Sequence, residues 1–219
     1  WSPDGSWLVS ANSTPLLLWD METQTVAKTI PANDHRSFAW AQDGDLIAIG
    51  TDRYIEILDS SSLEQIRQLD ASVLLGGAGG MLAQNKSLAF SQDGNEIVSG
   101  GNQGSVTFWD VEKGQHVVGE SLHTSDVVDV EWTSNGEYVV SLDAHSRVNV
   151  WSAEKKEVLT SFEAASGFPL TLSWSPDGTK LAMTSSDEAI PTNPTLTVFD
   201  VDSWQPLYHT QTGMDKVSW

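Results

Sequence analysis

The chain has 219 residues with 30 acidic and 11 basic side chains, ten tryptophans and no cysteine, for a net charge of −19 and a pI near 4.3. That charge repels phosphate backbones and anionic lipid surfaces, so neither nucleic acid nor membrane is an expected partner, whereas a basic protein or peptide is permitted. The missing cysteines exclude disulfides and thiolate metal sites, and no run of about 18 apolar residues exists to form a membrane helix.

In chain order, one short pattern returns five times. An aromatic residue is followed by a four-residue turn ending in Gly: Trp1 with Ser2-Pro3-Asp4-Gly5, Trp40 with Ala41-Gln42-Asp43-Gly44, Phe90 with Ser91-Gln92-Asp93-Gly94, Trp132 with Thr133-Ser134-Asn135-Gly136, and Trp174 with Ser175-Pro176-Asp177-Gly178. The chain stops on Trp219, the first residue of a sixth copy. Intervals of about 40–50 residues are those of a blade repeat. They divide the chain into 1–39, 40–89, 90–131, 132–173 and 174–219 within one domain, 1–219.

Each repeat predicts four strands. Ahead of the turn, apolar residues stand two apart: Phe38 and Trp40, Leu88 and Phe90, Val130 and Trp132, Leu172 and Trp174, Val217 and Trp219. Spacing of two puts both on one face of a strand. Pro at the second turn position, Asp at the third and Gly at the fourth suit a type I turn. Second strands follow at Leu46–Ile49, Ile97–Ser99, Tyr138–Ser141 and Leu181–Met183. The third strand is apolar on both faces, as in Val106 and Phe108 against Trp109, or Val148 and Val150 against Trp151. Such a strand must be covered on both sides, and with almost no helical periodicity the cover has to be other sheets. The fourth strand alternates polar with apolar, as in Val158–Phe162, which suits an outer edge. The expected fold is all-β, with four-stranded antiparallel sheets stacked on one another and Trp19, Trp40, Trp109, Trp132, Trp151 and Trp174 as structural residues.

The dipeptides closing the third strands are Trp19-Asp20, Leu58-Asp59, Trp109-Asp110, Trp151-Ser152 and Phe199-Asp200. With the turn and the period, they make the whole chain resemble the WD-repeat β-propeller family, as a divergent member. The resemblance implies a non-catalytic scaffold that binds a protein or peptide through the loop face. Contact positions would lie around the start of each first strand, here His35, Arg36, Asp126, Asp129, Phe168 and Lys216. It also implies a buried His–Ser/Thr–Asp–Trp set in each blade. No blade shows the complete set: blade four offers His123, Ser141 and Trp151, with His145 where Asp is expected. Family members are mostly cytoplasmic, and the sequence leaves export open. The same turn occurs in propellers attached to peptidases and signalling ATPases, so the alternative is a module appended to a larger enzyme, gating access or sensing a ligand.

Both ends of the chain fall at the end of a first strand. Either five blades close with residues 215–219 completing the first, or the chain is an excerpt of a longer propeller, which would need roughly 85 further residues for seven blades. The second reading is preferred, and an open arc would favour self-association. The Gly-rich stretch Gly76–Gly80 lacks the Lys-Ser/Thr and helix of a phosphate loop and reads as a connection between blades. A second insertion, Asp187–Pro194, enlarges blade five at the same end. The five histidines, at 35, 116, 123, 145 and 209, have no metal-ligand spacing, and no nucleophile or metalloprotease motif is present, so no metal, cofactor or catalytic residue is expected. Two glycosylation triplets, at Asn12 and Asn85, fall in predicted loops.

Overall fold

The computed structural model describes residues 1–11, 15–30, 37–51, 53–70, 85–164, 167–186 and 194–211. Their regular secondary structure is almost wholly strand, in five antiparallel sheets. The first sheet is three-stranded, β1 (Trp7–Ala11), β2 (Leu16–Asp20) and β3 (Thr25–Ile30). The other four each have four strands in sequential order. They are β4 (Ser37–Trp40), β5 (Leu46–Gly50), β6 (Tyr54–Asp59) and β7 (Gln65–Asp70); then β8 (Ser87–Phe90), β9 (Glu96–Gly100), β10 (Ser105–Asp110) and β11 (Gln115–Ser121). The last two sheets are β12 (Val127–Trp132), β13 (Tyr138–Asp143), β14 (Arg147–Ser152) and β15 (Val158–Glu163), and β16 (Phe168–Trp174), β17 (Lys180–Ser186), β18 (Thr195–Asp200) and β19 (Pro206–Gln211). The expected all-β blade architecture is present. The first-strand reading of residues 215–219, the Gly-rich stretch, nearly all of the blade-five insertion and the triplet at Asn12 lie outside the described residues.

The repeated turn works as its residues dictate. In Ser175–Gly178 the Gly178 N–H donates to the Ser175 carbonyl at 2.8 Å, and Gly178 sits at φ +68°. The Asp177 carboxylate accepts from Ser175 Oγ at 2.6 Å and from Thr179 N at 3.0 Å, which lowers its pKa to about 2. Asp4 repeats the arrangement in the first turn.

The Asp of the closing dipeptide also has a local task. Asp20 accepts from the backbone N–H of Glu22 and Thr23, Asp59 from Ser61 and Ser62, and Asp200 from Ser203. Four residues beyond the dipeptide's second residue, the chain turns left-handed in every repeat, at Gln24, Leu63, Gly114, Lys156 and Trp204. The carboxylate satisfies the turn's amides while the left-handed residue reverses the chain into the fourth strand.

By internal contacts the chain forms two compact units, one of Trp1–Ser99 with Thr107–Gly119 and one of Gly100–Val106 with Glu120–Trp219. In the first unit the middle sheet is covered on both faces. Opposite one another in register, Ile47 and Leu58 turn toward Val9, Leu16 and Leu18, whereas Ala48 and Ile57 turn toward Leu88, Phe90, Ile97 and Trp109. That double burial is what the two-faced third strand requires. In the second unit Val140, Leu142, Val148 and Val150 of one sheet pack against Leu172, Leu181, Met183 and Phe199 of the next. Burying a side chain of this size contributes about 1.5–3 kcal/mol, so these sheet-to-sheet layers are the main source of stability.

Candidate functional site

First strands begin, and second-to-third-strand turns lie, at the same end of each sheet: Ser37 pairs with Gly50, Val127 with Asp143, and Phe168 with Ser186. Of the expected contact positions, Asp126, Asp129 and Phe168 belong to this end. Beneath it, blade four carries a buried polar relay. Trp151 Nε1 donates to Ser141 Oγ at 2.8 Å, and Ser141 Oγ lies 2.7 Å from His123 Nε2. On the other side of the ring, His123 Nδ1 lies 3.3 Å from Asp143 Oδ2, with both side chains fully withdrawn from water.

This corrects the expectation that no blade holds the complete set. The carboxylate comes from Asp143, two residues before His145, because β13 continues to that point and spacing of two puts Ser141 and Asp143 on one face. His145 is exposed. The other Asp143 oxygen accepts from the His145 and Arg147 backbone amides, so the same carboxylate closes the turn. Burial pushes the His123 pKa below its ordinary value despite the opposing pull of Asp143. The ring thus sits between Ser141 at Nε2 and Asp143 on the Nδ1 side, where the 3.3 Å approach is a close electrostatic contact without hydrogen-bond geometry. Among the described residues, two other blades show the final link, Trp109 Nε1 to Ser99 Oγ at 2.9 Å and Trp19 Nε1 to Ser10 Oγ at 2.8 Å.

Asp126 and Asp129 are both half-buried. Asp126 accepts from the Gln103 backbone N–H at 2.9 Å, and beside it Val127 N donates to the Gly101 carbonyl at 2.9 Å. Asp129 accepts from Leu172 N at 3.0 Å, and the Glu131 carboxylate, two residues on, accepts from Trp174 N. These amides belong to β16, the edge of its sheet, so two carboxylates of one blade cover a backbone edge of the next. Withdrawal from water, and then the neighbouring Asp129 charge, push the Glu131 pKa well above the usual glutamate value. Phe168 opens β16 at 54% exposure, and Leu170, on the same strand, is 40% exposed. His35, Arg36 and Lys216 lie outside the described residues.

The tryptophans divide into two groups. Trp109 and Trp151 are 1% and 0% exposed, whereas Trp19, Trp40, Trp132 and Trp174 are half-buried. Three residues carry more than their sequence signal announces. Asn85 is buried, donates from Nδ2 to the Thr51 carbonyl at 2.9 Å and accepts at its own carbonyl from Ser37 Oγ at 2.7 Å. A glycan there would have to displace this anchor. Gly104 sits at φ +76°, where a Cβ would meet the His123 carbonyl oxygen at 2.2 Å. Glu131 is the third. Among the described residues no group of three or more His, Asp and Glu side chains is placed to hold a metal ion.

Comparison with known proteins agrees with this geometry. The COMPASS component SWD3 of Saccharomyces cerevisiae is 27% identical over 158 residues, 70% of this chain and 47% of that protein. Translation initiation factor 3 subunit I of Anopheles gambiae is 22% identical over 175 residues, 74% of this chain and 54% of its own length. Cell division cycle 20.4, cofactor of APC complex, from Arabidopsis thaliana is 25% identical over 181 residues, 77% of this chain and 38% of its own. The chain thus spans about half or less of the length of these relatives. A chain of Kuenenia stuttgartiensis hydrazine synthase superposes with a TM-score of 0.71 over 86% of this chain and 53% of that one, at 14% identity, which is likeness of fold alone. Residues 3–190 match the family model described as the nucleolar protein 10-like N-terminal domain, and the chain belongs to that family of WD-repeat β-propellers.

Proposed function

We propose that this protein is a non-catalytic scaffold that binds a protein or peptide through the loop end of its blades. The observation that carries the reading is Phe168 and Leu170. Two large apolar side chains stand in water on a strand whose backbone is fixed by pairing to β17 on one side and by the Asp129 carboxylate on the other. Exposed apolar anchors on a rigid support are what binding hot spots are made of. Relatives whose names describe components of larger assemblies, such as a COMPASS component and a cofactor of the APC complex, support the same reading. Asp126 and Asp129 contribute there by holding the surface in shape, and Phe168 makes the contact.

The net charge of −19 favours a basic partner. Affinity for such a partner falls as salt rises, because exposed charges are screened within about 8 Å at physiological ionic strength. Affinity capture with the unaltered protein and with Phe168→Asp/Leu170→Asp tests the site. The altered protein should keep its circular dichroism and lose a defined set of captured proteins. Retention of the same set by a folded variant refutes the loop-end reading.

A further inference from the structure

A second candidate site lies on the outer strands of the second unit, β15, β18 and β19, rather than on β16. Between β15 and the β18–β19 hairpin is a groove of about 300 Å³. Its floor is aromatic: the Phe162 and Phe199 rings lie 5.2 Å apart at 46°. Pro206 forms an exposed apolar lip, and the Gln205 amide stands beside it. His209 is held across the wall by its Nδ1 contact with Thr197 Oγ1 at 2.9 Å. Glu163 is the only carboxylate among the lining residues, with its side chain 76% exposed at the rim.

The shape and chemistry narrow the occupant. The volume is at the small end of ligand pockets, which run from about 300 Å³ upward, so it suits one side chain rather than a cofactor. Aromatic faces beside a single carboxylate attract a cation with a flat apolar surface. A guanidinium meets both needs, since it stacks on rings and offers paired donors to a carboxylate, whereas an ammonium is compact and strongly hydrated. The chain's own Arg147 approaches the Glu163 carboxylate at 3.6 Å, a loose, exposed pair that an incoming guanidinium can displace at little cost. The overall charge of −19 draws basic segments toward the surface. We propose that this groove binds the arginine side chain of a basic segment of a partner protein, packed on the half-buried Phe162 ring and paired with Glu163. This contact uses none of the β16 residues Phe168 and Leu170.

Titration of isotope-labelled protein with N-acetyl-arginine methylamide, followed by amide NMR, reads the site directly. The expected result is saturable shifts confined to residues 162–164 and 205–209 in the millimolar range, with none from the uncharged citrulline counterpart. Glu163→Gln, at an exposed position, should weaken binding roughly three- to fivefold. Arg147→Gln should preserve or strengthen it, because the competing guanidinium is gone. Phe168→Asp should leave the titration unchanged, so that failure here and failure of the loop-end reading are told apart. The proposal is overturned if arginine gives no saturable shift, if citrulline gives the same shifts, or if Glu163→Gln binds arginine as well as the unaltered protein.

Discussion

Removal of one oxygen atom should reveal how much the buried relay of blade four holds. Ser141 Oγ is the acceptor of Trp151 Nε1 at 2.8 Å and the partner of His123 Nε2 at 2.7 Å, and Ser141 is 0% exposed. Ser141→Ala takes the partner from two buried polar groups at once. Each such loss costs about 1–3 kcal/mol, and the two share one site, so the sum should be about 2–4 kcal/mol. Ser99→Ala is the internal standard. Ser99 has the same place in the preceding blade, but its Oγ accepts only from Trp109 Nε1 in the hydrogen bonding described above, so its loss should be about 1–2 kcal/mol. Volume and helix or strand propensity change identically in the two variants. Urea unfolding at neutral pH, followed by tryptophan fluorescence and compared at constant slope, gives both numbers. If Ser141→Ala costs no more than Ser99→Ala, the relay through His123 adds nothing to the fold and the reasoning fails.

Three further outcomes rest on buried groups of the second unit. Burial holds His123 below its ordinary pKa of 6.5, so the unfolded chain takes up the proton first; stability should fall as pH drops from about 6.5 toward the folded-state value, and the slope should flatten in His123→Gln, as read by urea midpoints across that range. Glu131 has the opposite sign: its raised pKa means that stability is present below about 4.5 and lost as pH rises toward the folded-state value. Glu131→Gln keeps an acceptor for Trp174 N and should be more stable than the unaltered protein at neutral pH, with the difference closing near pH 4; equal midpoints at both pH values would contradict this. Gly104→Ala forces a left-handed conformation on a side chain and drives its Cβ into the His123 carbonyl, for an expected loss of roughly 2–4 kcal/mol in thermal or urea unfolding.

The architecture was legible because its signal is repetitive and local. Alternation in strands such as β10 and β14 and a turn whose Pro, Asp and Gly each have a backbone reason leave few other ways to bury the apolar residues. The polar relay was only partly legible. The resemblance puts the carboxylate at position 145, in the turn, whereas here β13 runs on and delivers Asp143 from its end. The two-residue spacing of Ser141 and Asp143 was the available clue. Asp129 is bonded to an amide 43 residues away on another sheet, a relation that no local pattern encodes. The non-glycine left-handed residues Gln24, Leu63, Lys156 and Trp204 carry no sequence signal because their conformation is set by the preceding turn rather than by their own preference. The groove under Glu163 was invisible for a related reason: it is made by two blades, each of which looks ordinary alone.

The carboxylates that lie over the β16 edge also bear on assembly. At the matching positions other blades have Ser37 and Ala39, Ser87 and Ala89, and Thr171 and Ser173. Near-identical repeats invite mis-ordering and strand exchange between copies of a chain during folding. Asp129 and Glu131 give one junction an address of its own: among the described first strands the fourth blade alone offers two carboxyl groups to the next, and a wrong neighbour that failed to supply two amides would leave both acceptors without partners. The modules are therefore not interchangeable, and a chimera that shuffled the fourth and fifth repeats would lose the cue that tells them apart.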